Sequence, residues 1–124
     1  MWGEFEFNSP YSGEDITEIN GVKLPQNYID FMTEHNGGEG DIGESWLVLY
    51  PMEELQKYND DSEISEYLPD HIIIGGDGGG ELYGITPDGK YFNVPSMFEE
   101  EEVTILCDDI KDFADKVNEF WENL

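Results

Sequence analysis

The chain has 124 residues, enough for one hydrophobic core without disulfide or metal staples. Thirty Asp and Glu face five Lys and no Arg, a formal net charge of −25, while aromatic residues make up 14% of the chain. The aromatic share marks a packed domain, not a disordered acidic tail. The shortage of Lys and Arg argues against direct binding to nucleic acid or to an anionic membrane, since both need cationic side chains.

Solubility or a salt-rich habitat is one source of such a bias; a field that attracts a cationic partner is the functional one. Cys107 stands alone within the apolar run 103–107 and is expected to be a small core residue. The first residues show no basic patch followed by an apolar stretch, and no segment approaches the ~18 apolar residues of a membrane span. A reducing cytoplasm is the expected compartment.

In chain order, Phe5 and Phe7 alternate with Glu4 and Glu6, which predicts a short edge strand. Ser12 is expected to cap a brief helix over 14–19, stopped by Asn20-Gly21. Leu24, Tyr28, Phe31 and Met32 have the spacing of one helical face, with Pro25 at the first helical position and Asn36-Gly37-Gly38 as the left-handed cap. An acidic glycine loop over 39–44 then leads into a buried strand, 46–50. A second short helix is predicted over 52–58 and an exposed connection over 59–66.

Strands follow at 71–74 and 81–85, with the reversal Gly75–Gly80 between them. Thr86-Pro87-Asp88-Gly89-Lys90 signals a tight turn, so Tyr91–Val94 should return antiparallel. After the acidic run 99–102 comes a strand over 103–107. The tail is the clearest helix: Ile110, Phe113, Ala114, Val117, Phe120, Trp121 and Leu124 recur at three and four, with Asp108 or Asp109 as cap. No internal repeat is present. The pattern predicts a single α+β domain over 1–124, a mainly antiparallel sheet flanked by short helices and a C-terminal amphipathic helix.

Site chemistry is sparse. Gly75–Gly80 is followed by Glu81-Leu82-Tyr83, neither a Lys-Ser/Thr pair nor a helix opening, so no phosphate loop is met. Calcium needs alternating acids, a glycine turn and a closing Glu, and zinc needs Cys or His clusters; neither pattern occurs, and no metal or cofactor is expected. His35 and His71 have no Ser or Cys partner in sequence, and no enzyme is expected.

Leu24-Pro25-x-x-Tyr28-x-x-Phe31, Asn36-Gly37-Gly38, Trp46, Ile74 to Gly80 and Tyr83-Gly84-Ile85, in this order, resemble the SUKH superfamily, which includes the yeast cell-wall regulator of the Smi/Knr type. The resemblance covers about half of the chain directly. It departs at the start, where a strand-like segment precedes a short helix. It implies an α+β fold with one antiparallel sheet and, in bacteria, an immunity protein that neutralises a cognate polymorphic toxin domain, often a nuclease. No catalytic constellation comes with it. Leu24, Pro25, Tyr28, Phe31 and Gly37 are then core and caps.

The acids nearest the motifs are the candidate partner-binding residues: Glu39, Asp41 and Glu44 around Trp46, and Asp77 with Glu81 on the glycine loop. Trp46 itself lies in an apolar run and is expected in the core, and the plainer reading of the acids is a solvated loop. An acidic DNA mimic and a regulatory scaffold are the rival functions. Nothing in the sequence sets the oligomeric state or names the toxin's reaction.

Overall fold

A computed structural model describes residues 5–14, 16–42, 45–95 and 103–122. The first half holds β1 (Glu6–Phe7), β2 (Glu18–Ile19), β3 (Val22–Lys23), α1 (Gln26–Glu34), β4 (Gly38–Ile42) and β5 (Ser45–Leu49). A 3-10 turn (Met52–Glu54) runs into α2 (Leu55–Ser62), followed by α3 (Ile64–Tyr67). The second half holds β6 (Ile72–Gly76), β7 (Glu81–Ile85), β8 (Tyr91–Pro95), β9 (Thr104–Cys107) and α4 (Ile110–Glu122). Seven strands form one sheet in the order β1-β4-β5-β6-β7-β8-β9, each neighbouring pair antiparallel. This is the α+β architecture that the strand and helix patterns predict.

The main core lies on one face. Leu47, Leu49, Ile72, Ile74, Tyr83, Ile85 and Tyr91 from the sheet meet Tyr28 and Met32 of α1 and the Ile110, Phe113, Ala114, Val117 stripe of α4. On the other face Ile73, Phe92 and Val94 pack under Ile64 of α3 and Leu68, which follows that helix. Burial on both sides is why β6 reads as an unbroken apolar run. Gly84 admits the close packing: a Cβ there would stand 2.0 Å from the Ile72 carbonyl oxygen and 2.6 Å from Phe92 Cζ.

Three asparagines satisfy backbone groups at a strand and at helix starts. Asn59 donates to the Leu55 and Ile73 carbonyls and accepts from Ile73 N–H. Asn27 Oδ1 accepts from the Tyr91 hydroxyl (2.6 Å) and from Ile110 N–H (2.9 Å), which ties α1 to the first turn of α4. Asn36 accepts from Met52 N–H and donates to the Glu53 carboxylate.

Several sequence expectations need correction. Instead of a helix over 14–19, β2 and β3 form a hairpin; Asn20 (φ 52) and Gly21 (φ 79) are its turn, since positive φ at both central positions suits the hairpin twist. The expected loop at 39–44 is largely strand β4: Gly38, Gly40 and Ile42 alternate inward while Glu39 and Asp41 face out. Glycines at inward positions hide the period of two from a hydropathy reading. Residues 59–66 are mostly helix, with Asn59 and Ile64 buried, while Asp60, Asp61, Glu63 and Glu66 are exposed as expected. Gly75 and Gly76 belong to β6, and of the glycine run only Gly78 has positive φ (79). Pro25 precedes α1 in an extended conformation, its carbonyl accepting from Tyr28 and Ile29. Gly37, at φ 80, ends that helix as the sequence indicates.

Strands β6 to β9 and α4 lie where the patterns place them, and Asp109 Oδ1 caps Lys111 N–H at 3.0 Å. Cys107 is half-buried against the core, and burial pushes its thiol up to about 11. The acidic run 99–102 lies outside the described residues.

Candidate functional site

Partners across antiparallel strands share a face, so Glu39 opposite Val48 and Asp41 opposite Trp46 stand on the side away from Leu47 and Leu49. Glu39 and Asp41 are exposed, and Trp46 is 43% exposed. The expectation of a core Trp46 is therefore overturned. On β5 Leu47 and Leu49 point into the core, and alternation turns the indole of Trp46, one residue before Leu47, to the other side.

Asp77 sits in the loop between β6 and β7. Its Oδ1 accepts from Gly79 N–H (2.8 Å) and Glu81 N–H (3.1 Å), an Asx-type turn that shapes the loop. The pairing of Val48 with Gly76 carries this loop alongside Trp46, where a Cβ on Gly78 would lie 3.6 Å from the indole Cδ1. Glu81 opens β7 half-buried, alternating with Leu82 and so sharing the Tyr83 side of the sheet. The fold thus gathers Asp41, Glu39 and Asp77 around Trp46 and places Glu81 toward Tyr83 and α4. Glu44 lies outside the described residues.

A cavity of about 320 Å³ opens at this end of the sheet, lined by Ser45, Trp46, Asp77, Asn118, Trp121 and Glu122. The three α4 residues and Ser45 escape a sequence reading. Trp121 looks like one more member of an apolar stripe, and nothing local to residues 118–122 indicates that a second tryptophan from β5 stands opposite. Trp121 Nε1 donates to the Tyr83 hydroxyl at 2.8 Å. Burial is the main reason the Tyr83 hydroxyl is pushed up to about 12; the Trp121 bond opposes the rise, and the negative charges of Asp77 and Glu81 add to it. Asp77 and Glu122 make the potential here negative, and among the described residues no lysine lines the cavity.

The histidines serve packing. The His35 ring lies 4.4 Å from that of Phe7 and 5.6 Å from that of Phe31, and His71 stands edge-on to Phe92 at 5.4 Å. Among the described residues no group of three or more His, Cys, Asp or Glu is placed to hold a metal ion, and no helix is long and apolar enough to cross a membrane.

The sequence profile of the SMI1/KNR4 family (SUKH-1) matches residues 12–116, from before β2 into α4. The chain belongs to this family. It is also similar to the uncharacterized protein YnaB of Bacillus subtilis (strain 168), 30% identical over 74 residues, 57% of this chain and 47% of that protein. The chain therefore matches about half the length of this curated relative. Within the SUKH-1 match, Leu24 and Tyr28 are buried, Pro25 and Gly37 bound α1, and Phe31 is half-buried at the core edge. These residues build the fold. Trp46, inside the same match, is turned to solvent.

Proposed function

We propose that this SUKH-1 chain is a cytoplasmic immunity protein, which binds a cognate polymorphic toxin domain and blocks it without chemistry of its own. The observation that carries this reading is Trp46, an exposed indole on an open sheet face, with Asp41 opposite it and Asp77 beside it. The partner that suits such a surface is basic, as a nuclease toxin must be to hold a polyanion. Charge complementarity speeds encounter, by roughly ten- to a thousandfold at low salt. Durable binding needs a buried aromatic anchor with charges at its rim, the arrangement around Trp46. Neither a cofactor nor direct contact with nucleic acid enters the mechanism.

The test is inhibition of the toxin encoded beside this gene, together with stopped-flow association at two ionic strengths. The expected result is loss of toxin activity and an association rate that falls steeply with salt. Unimpaired toxin activity would remove the immunity reading; a salt-independent rate would remove the steering. The net charge of −25 also supports a second reading, an acidic DNA mimic. Inhibition of several unrelated basic nucleases would favour mimicry, and inhibition of one partner favours immunity.

A further inference from the structure

The cavity beside Trp46 has an unusual polar inventory. Three side chains in its wall donate inside the protein, while the Trp46 indole N–H and the second Asn118 amide N–H stay available. Trp121 Nε1–H goes to the Tyr83 hydroxyl, the Ser45 hydroxyl to the Ile42 carbonyl at 2.9 Å, and Asn118 Nδ2 to Glu122 Oε1 at 3.0 Å. The carboxylate can only accept, so it fixes the amide orientation and leaves the Asn118 carbonyl oxygen facing elsewhere. That oxygen is buried with no hydrogen-bond partner among the described residues. Among the wall's carboxylates, the second oxygen of Asp77 and the second oxygen of Glu122 remain as acceptors. Two indoles line the same space.

Two carboxylates beside two aromatic surfaces fit a ligand that is cationic and flat. The guanidinium meets both conditions: a permanent charge carried on five N–H donors, and a plane that stacks on indole. Anions are repelled by Asp77 and Glu122. The volume, about 320 Å³, is far above the ~30 Å³ share of one water and at the small end of the ~300–1,000 Å³ range of ligand cavities, a fit for one side chain. We propose that the cavity between β5, the β6–β7 loop and the end of α4 is a receptor for a single arginine side chain of a protein partner. The partner's identity as a toxin rests on the immunity reading; the chemistry of the receptor does not.

The probe is Nα-acetyl-arginine amide, titrated into the full ¹⁵N-labelled chain, with the neutral Nα-acetyl-citrulline amide as control. The indole N–H signals of Trp46 and Trp121, identified with W46F and W121F, should shift saturably with the arginine probe and stay still with citrulline. Trp46→Ala should weaken the probe by roughly fivefold or more, and Glu122→Gln by roughly threefold. Both side chains are exposed, so an unchanged thermal midpoint accompanies each loss. No saturable shift, equal shifts with citrulline, or full affinity in W46A would overturn the receptor. The cognate toxin separates the two ideas. If it binds wild type and W46A equally, the receptor falls and the immunity reading stands. If it fails to bind while the arginine probe binds, the immunity reading falls and the receptor stands.

Discussion

At Ile73 the sheet runs out of strand. β5 pairs with β6 only through Val48 with Gly76 and Leu49 with Gly75, and the amide of Asn59 takes up both the N–H and the carbonyl of Ile73. Asn59→Ala leaves two buried backbone groups unpaired and should cost about 2–4 kcal/mol in urea unfolding. Asn59→Asp should cost more, because the oxygen replacing Nδ2 would face both the Leu55 and Ile73 carbonyls and a charge would be buried. A wild-type midpoint for the Asp variant would refute this bonding. Cys107 gives a second residue-scale prediction. With the thiol raised to about 11 by burial, thiolate is scarce at pH 8, and alkylation should run about a hundredfold slower than for a free thiol until the chain unfolds. The unfolded chain releases this proton first. The thiol's contribution to stability is therefore full below about 9 and lost as the pH rises toward about 11.

Among the elements, α4 and the β7–β8 pair respond differently to perturbation. α4 depends on Asn27, whose single oxygen takes both Tyr91 O–H and Ile110 N–H. Asn27→Ala should destabilise by about 1–3 kcal/mol, with hydrogen exchange rising first in the opening turn of α4. Exchange that rose uniformly would mean the bond anchors no particular element. At Gly84 the added Cβ of alanine would meet both a ring and a carbonyl. Gly84→Ala should cost about 2–3 kcal/mol or more. Trimming the ring with Phe92→Leu should fail to restore stability, since the Ile72 carbonyl is part of the backbone ladder; recovery in the double variant would assign the whole clash to the ring.

For the molecule as a whole, the charge of −25 sets the response to salt. The two described ion pairs, Lys57 with Asp61 and Lys116 with Glu119, are exposed and contribute little. Carboxylate repulsion dominates, so raising sodium chloride from about 10 to 500 mM, which shortens the Debye length from about 30 to below 10 Å, should raise the thermal midpoint. A rise of about 5 °C corresponds to roughly 1 kcal/mol for a domain of this size. A flat midpoint in differential scanning calorimetry would show that the carboxylates are arranged to avoid one another. Charge is also uneven in space. Lys23 of β3 stands near Pro87, and Lys90 closes the β7–β8 turn, away from the Trp46 cavity, whose lining among the described residues carries Asp77 and Glu122 and no lysine.

Local pattern alone determined the sheet-forming run from β6 to β9, the turn at 86–90, the α1 face with its glycine cap, and α4. In each, the period of the apolar residues or the chemistry of a turn is set by near neighbours. Membership of the SUKH-1 family was likewise legible in spaced motifs. Tertiary structure alone decided that Trp46 faces solvent, that glycine-rich 38–42 is a strand, and that residues 59–66 fold as helices along β6. It also decided that Trp46 and Trp121 line one cavity. An apolar run reads the same whether one or both of its faces are covered. Which faces are covered depends on elements distant in the chain, and no local period records that.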